Sequence, residues 1–312
     1  MDHAIVFACP FPRGHITGGI RTTYRHAEWL AEAGADASVF SPDGHPSWFR
    51  SRARVNHSGR LAVGPRDIVV LGETLDDVTI RFLGLAARKE MFCQNQFYVF
   101  GRHAGLRSHA ELGISRIYGS SRAIQDFFAR VYGSPAIDIV PYAVDPSLFR
   151  PAEKTLQIAY VPRKLPFEAG FIRTAFQIRF PALRHVPFVA IEGRSEEETA
   201  AIMGRSAVLL ALGHLDSFGL PAIEAMASGC AVVGLHGTGG LEFATPANGR
   251  WFHHGQLVDC VEALGEVVGA LSDGEAWVRE MIEAGRRTAR RYTPDAARGA
   301  LLGHFGLGAP EA

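Results

Sequence analysis

The feature that most narrows the fold is an alternation that runs along the chain twice. In the first half, short apolar runs of strand length lie at residues 4–9, 37–41, 68–71, 90–94, 116–118 and 137–140. Amphipathic stretches at 20–33, 75–87 and 122–132 separate several of them. Strands alternating with helices predict an α/β chain, a parallel sheet with helices on both faces. After Phe149-Arg150-Pro151 the pattern restarts, with runs at 156–161, 188–192, 207–212 and 231–235. Helical stretches at 170–179, 196–203, 221–228 and 257–271 accompany them. The reading is therefore two domains, residues 1–150 and 151–290, with a boundary near Pro151. Two last helical stretches, 276–291 and 294–304, have no strand after them.

Composition agrees with two packed cores. The 312 residues are 47% hydrophobic and 21% charged, as in soluble globular proteins large enough for two domains. No apolar run approaches a membrane span. The N-terminus lacks a basic region and a long apolar core, so it reads as a first strand and not a signal peptide. Cys9, Cys93, Cys230 and Cys260 form no Cys-x-x-Cys pair, which points to buried reduced thiols in a cytoplasmic protein and not to zinc. Basic and acidic residues balance at 32 each, which argues against a broad nucleic-acid-binding surface.

The most informative chemistry lies in Asp216-Ser-Phe-Gly-Leu-Pro-Ala-Ile-Glu224. It follows an apolar run, and Pro221 suits the first turn of a helix, where its missing N–H costs nothing. The layout is strand, acidic loop, glycine turn and helix N-terminus. Backbone N–H groups from Phe218 to Ala222 would face outward with the positive end of the helix dipole behind them, which suits a phosphate. Glu224, about one turn into the helix, could take two neighbouring hydroxyls of a ribose, and Asp216 would face the next polar group along. Such a site can hold a nucleotide diphosphate with a sugar attached.

This stretch resembles the motif of retaining glycosyltransferases of the GT-B fold (glycosyl transferases group 1, family 4-like), at Phe218-Gly219-Leu220-Pro221 and Glu224-Ala225-Met226-Ala227. There two acids flank seven residues. The resemblance implies two Rossmann-like β/α/β domains facing a cleft, with residues 1–150 on the acceptor side and 151–290 binding the donor. It implies a last helix, within 291–312, that packs back on the first domain. It also implies that Glu224 binds the nucleotide ribose and that Asp216 contacts the donor sugar, with Ser217, Phe218, Gly219 and Leu220 lining the donor. The first acid is usually Glu; Asp216 retracts the carboxylate by about 1.5 Å.

Four further segments carry weaker signals. Gly18-Gly19, after the first strand, would let backbone approach a bound group and place a helix N-terminus at it. The pair resembles the family's loop over the donor phosphates. Arg163-Lys164 ends the first strand of the second domain, where parallel sheets bind ligands. The resemblance makes them the cations that hold the diphosphate, although relatives space them apart. Arg163 is the firmer of the two, because its fork grips phosphate in two places. Gly239-Gly240, in Gly237-Thr-Gly-Gly-Leu-Glu242, resembles a turn near the nucleotide, although a plain strand-to-helix turn also explains it. Gln94 and Asn95 lie where many relatives carry a sugar-contacting histidine; they can hydrogen-bond sugar or acceptor hydroxyls, or cap the local structure, but are poor bases. The stretch from Val140 to Pro151 resembles the family's interdomain linker and marks a hinge.

Together these features imply a glycosyltransferase moving a sugar from a nucleotide-diphosphate sugar to an unidentified acceptor hydroxyl, with retention. Polysaccharide, glycolipid or natural-product acceptors all fit. A 2-epimerase on the same fold and a non-catalytic nucleotide-sugar binder are the alternatives. No cofactor is implied and no metal is expected. His253-His254 reads as a solvent-facing loop. Arg279, Arg286, Arg287, Arg290 and Arg291 form a basic helix that suits either a solvated face or the inner membrane surface.

Overall fold

A computed structural model describes residues 3–57, 61–75, 79–100, 107–134 and 137–308. The chain forms two compact units, one of Met1–Tyr142 with Asp295–Ala312, the other of Ala143–Pro294. The sequence reading set the boundary near Pro151; the units change over between Tyr142 and Ala143.

In the first unit the order is β1 (Ala4–Ala8), α1 (Gly18–Glu32), β2 (Asp36–Phe40), β3 (Val55–Asn56), β4 (Ile68–Gly72), β5 (Arg88–Cys93), β6 (Ile114–Gly119), α2 (Arg122–Tyr132) and β7 (Asp138–Ile139). All strands are parallel, in the spatial order β3-β2-β1-β4-β5-β6-β7. Helix α1 starts where Thr17, in extended backbone, accepts the Ile20 N–H at 3.3 Å, satisfying one orphan donor of the first turn.

The second unit runs β8 (Thr155–Tyr160), α3 (Pro166–Arg179), β9 (Phe188–Ala190), α4 (Glu196–Arg205), β10 (Ser206–Gly213), α5 (Leu220–Ala227), β11 (Ala231–His236), β12 (Arg250–Phe252), α6 (Leu257–Asp273) and α7 (Ala276–Ala289). Its five-stranded parallel sheet has the order β12-β11-β10-β8-β9. Ser195 and Glu198 form a reciprocal capping box at the start of α4. The ends of α4 and α5 are tied to the sheet by Lys154, whose ammonium donates to Ser206 O at 2.8 Å, Ser228 O at 2.7 Å and Met203 O at 3.3 Å.

The last helix, α8 (Pro294–His304), packs on the first unit, as the resemblance implies. Leu301, Leu302 and Phe305 join the core formed by Ile5, Phe7, Tyr24 and Val39. Amid these apolar groups sits an ionic anchor. His304 Nε2 lies 2.9 Å from Glu90 and Nδ1 lies 2.6 Å from Asp138, while Arg116 donates to the His304 carbonyl at 2.8 Å. Next to it His26 is wholly buried; desolvation, then the charge of His304, push its pKa down to about 3.

Three local expectations are corrected. Among the described residues of 75–87 there is no α-helix, only a 3-10 helix at Thr79–Gly84; 76–78 lie outside the described residues. The apolar signal there comes from the buried Leu75, Phe82 and Ala87; Phe82 packs edge-on against Phe40 at 5.6 Å, and Gly84 ends the 3-10 helix just before β5. Strands β3 and β12 were not anticipated, because neither Val55-Asn56 nor Arg250-Trp251-Phe252 lies in an apolar run. Helix α3 begins at Pro166, earlier than expected, with proline in its first turn.

Candidate active site

In an open parallel sheet, ligands bind beyond the carboxyl ends of the strands, where the chain leaves a strand to one side and returns on the other. In the second unit that point lies between β8 and β10. The loop after β8 carries Arg163 and Lys164 in a single 3-10 turn, Pro162–Lys164. The loop after β10 carries Asp216. The two loops meet: Lys164 Nζ donates to Asp216 Oδ1. The other carboxylate oxygen accepts the backbone N–H of His214 at 3.1 Å. Burial, and then the neighbouring Arg163 guanidinium, lower the Lys164 pKa to about 8, so the ammonium stays mostly charged at neutral pH with Asp216 as its counter-ion. Arg163 itself is exposed.

The glycine turn follows directly. Gly219 caps α5 with φ +85° and ψ +48°, a left-handed conformation that a side chain disfavours. Ala222 N–H donates to Gly219 O at 3.1 Å, so the expected row of outward amides is shorter than anticipated. It ends at Gly219 and Leu220, since Pro221 has no N–H. Phe218 faces the core, edge-on to Tyr292 at 4.9 Å and Phe243 at 5.5 Å, so only its backbone stands at the turn. Ser217 and Glu224 are buried, Glu224 lying about one turn into α5.

Gly239 explains itself by packing. A Cβ there would fall 2.0 Å from Phe218 N and 2.3 Å from Ser217 C, so the Gly239-Gly240 turn is the surface on which the acidic loop rests. Gly239→Ala should push that loop aside and cost about 1–3 kcal/mol, the range for overpacking. A denaturant titration in which the variant matches the parent would show that the loop is not held this way.

In the first unit the corresponding point lies between β1 and β4. Gly18-Gly19 opens α1 after β1. A Cβ on Gly19 would meet Gln94 Oε1 at 2.8 Å, so the glycine makes room for the Gln94 side chain. Gln94 donates to Thr23 Oγ1 at 3.4 Å and accepts from the Tyr142 hydroxyl at 3.3 Å. Asn95 is buried and caps the turn Gln96–Tyr98, accepting the Phe97 N–H at 3.0 Å. Sequence reasoning passed over Glu73, one residue beyond β4, which accepts the Gln94 N–H at 3.1 Å. Its signal was an acid directly after an apolar run, at the end of a parallel strand.

The histidines lie closer together than the sequence suggested. His214, His236, His253 and His254 cluster at the ends of β10, β11 and β12, with ring centroids 5.2 Å apart for His214 and His254 and 4.6 Å for His236 and His253. Among the described residues no group of three or more His, Cys, Asp or Glu is placed to hold a metal ion. All four cysteines are buried and free. Of the α7 arginines, Arg286 pairs with Glu283 at 2.7 Å and Arg279 donates to Gly274 O at 2.7 Å. No described helix is long and apolar enough to cross a membrane.

No family model matches the chain. A curated alpha-1,6-glucosyltransferase from Actinobacillus pleuropneumoniae serotype 7 (strain AP76) is 27% identical over 301 residues, 90% of this chain and 88% of that protein. Among solved structures, sucrose-phosphate synthase from Thermosynechococcus elongatus matches with a TM-score of 0.70 at 14% identity, over 97% of this chain and 98% of that one. Anabaena HepE in complex with UDP-glucose matches with a TM-score of 0.68 at 13% identity, over 97% and 99%. Two parallel sheets flanked by helices, a last helix returned to the first unit, and these likenesses give the chain the GT-B fold.

Proposed function

We propose that the protein is a retaining, family 4-like glycosyltransferase that moves a sugar from a nucleotide-diphosphate sugar to an acceptor hydroxyl. The observation that carries this reading is the contact of Lys164 with Asp216 across the β8–β10 point, beside the entrance to α5. It sets a cation, an acid and helix-end amides within one small region, the set that a sugar diphosphate requires.

The chemistry follows from where charge develops. The bond from the anomeric carbon to the diphosphate oxygen breaks, leaving negative charge on the diphosphate and positive charge on the sugar. Arg163, Lys164 and the amides of Gly219 and Leu220 stabilise the first, as preorganised donors that need no rearrangement. Asp216, held by the His214 N–H, orients the sugar and faces its developing positive charge. Glu224 holds the ribose. No side chain presents itself as a nucleophile. The acceptor oxygen bonds to the anomeric carbon on the face the diphosphate leaves, and its proton passes to the departing phosphate oxygen.

The second unit is the donor side in this reading and the first unit the acceptor side. The name of the curated relative and the ligand of HepE make UDP-glucose the first donor to try. Four buried free thiols fit a reducing compartment, hence the cytoplasm. The unpaired part of the α7 arginine face is the surface we would test against anionic vesicles.

Lys164→Met tests the assignment. Removing one preorganised donor to the leaving group should lower kcat/KM about 100- to 1,000-fold in an assay of nucleoside diphosphate release with an acceptor panel. Turnover at the parental rate would remove Lys164 from the site. Conversion of the nucleotide sugar to an epimer with no acceptor present would replace transfer by epimerisation.

A further inference from the structure

Glu73 stands at the β1–β4 point of the first unit with 7% of its surface exposed. Its Oε2 accepts the Gln94 N–H at 3.1 Å, and the amides of Asn95 and of Glu73 itself also point at the carboxyl group. From Gln94 a line of hydrogen bonds runs on: its side-chain nitrogen donates to Thr23 Oγ1 at 3.4 Å, and Thr23 Oγ1 donates to Gly19 O at 3.0 Å. Gly19 in turn has no room for a Cβ beside Gln94 Oε1. The carboxyl group thus joins the ends of β4 and β5, and the Gln94 side chain carries the link on to the first turn of α1.

Packing alone does not call for an acid here. Burial pushes the Glu73 pKa up to about 7, the three backbone amides only partly offsetting it, and no neighbouring cation helps. The titratable group facing it is Cys93 on β5, whose thiol is raised well above its ordinary value by burial and then by Glu73. Gln94, Asn95 and Thr23 are uncharged. Such a carboxyl group lowers stability at neutral pH, and natural folds keep destabilising groups of this kind where function uses them.

We propose that Glu73 is a positioning residue for the transfer reaction, setting through Gln94 and Thr23 where the Gly18-Gly19 turn is presented. This rests on the glycosyltransferase reading given above. The ionised carboxylate is the stronger acceptor for the three amides, so ionisation draws the end of β5 inward and carries Gln94 and the α1 turn with it. The competent arrangement is the ionised one. Glu73→Gln keeps the shape and one acceptor oxygen but removes the ionisation.

Two measurements on the full chain decide the matter. In protein labelled selectively with ¹⁵N-glycine and ¹⁵N-glutamine, the Gln94 side-chain and Gly19 amide resonances should shift with one inflection near pH 7. In Glu73→Gln that inflection should be absent. Flat resonances from pH 5.5 to 8.5, or the same titration in the variant, would overturn the proposal. In the second measurement, kcat for nucleoside diphosphate release should rise through the same inflection in the parent. The variant should run about tenfold lower with no such limb, and its affinity for UDP should be unchanged. A variant with the parental pH profile would also overturn it. If the parent consumes no nucleotide sugar, the functional reading fails, and the resonance titration still decides whether Glu73 moves the turn.

Discussion

Glu224→Gln should weaken nucleoside-diphosphate binding by roughly 10- to 100-fold while leaving the fold intact. A hydrogen bond to a charged group contributes about 1.5–3 kcal/mol, and each 1.4 kcal/mol is a factor of ten in affinity. Glu224 is buried on α5, between Ile223 and Ala225, both wholly buried. Glutamine has the same shape, so the helix keeps its packing and the loss falls on the ribose hydroxyls. Transfer should fall at least as far as binding. The thermal shift produced by a nucleoside diphosphate should shrink in step, because a ligand at free concentration L stabilises the native state by RT ln(1 + L/Kd). The unliganded variant should melt within a few degrees of the parent. A large drop in unliganded melting temperature would mean that Glu224 serves the fold, and an unchanged affinity would remove it from the ribose.

The second large effect is on stability. His304→Ala should destabilise the first unit by about 3 kcal/mol, because it leaves the wholly buried Glu90 carboxylate with the half-exposed Arg88, at 3.1 Å, as its counter-charge. The cost lies in a buried charge left poorly compensated and not in the loss of a favourable pair. Replacing both partners, Glu90→Met with His304→Leu, should therefore recover most of it. Denaturant unfolding followed by far-UV circular dichroism would show an early transition in the single variant and its return in the double one. A single variant within about 1 kcal/mol of the parent would mean that α8 is held by Leu301, Leu302 and Phe305 without help from the ionic anchor. Acid should loosen the same anchor. The hydrogen bond to His304, against the opposing effect of burial and with smaller help from the His304 and Arg116 charges, holds the Asp138 carboxyl below its ordinary range. Asp138 thus contributes above its unfolded-state pKa, and the contribution is lost as pH falls through the folded value.

The sheets were legible because buried parallel strands are continuous apolar runs, and each such run in the second unit became a strand within a residue or two. Strands β3 and β12 escaped because they are paired by their neighbours and not declared by their own side chains. Residues 75–87 misled for the opposite reason: Leu75, Phe82 and Ala87 are buried, but the described residues between them form only a short 3-10 helix. In the candidate site, residue types could be read but partnerships could not. Lys164 and Asp216 lie 52 positions apart, and only the β8–β10 crossover brings them together. Gly239 could be read as a ligand glycine until the backbone of Ser217 and Phe218 was seen to occupy its missing side chain's place. Glu73 offered only an acid after an apolar run; its contact with the end of the neighbouring strand β5, which carries no matching charge, could not be read.

The central claim is that the β8–β10 end of the second unit is a nucleoside-diphosphate site. Calorimetric titration of the parent, Lys164→Met and Glu224→Gln with UDP, GDP, ADP and dTDP tests it most directly. The account predicts one-to-one binding of at least one of the four by the parent, weakened at least tenfold in each variant. Binding of none of them, or binding that both variants retain at parental strength, would contradict it.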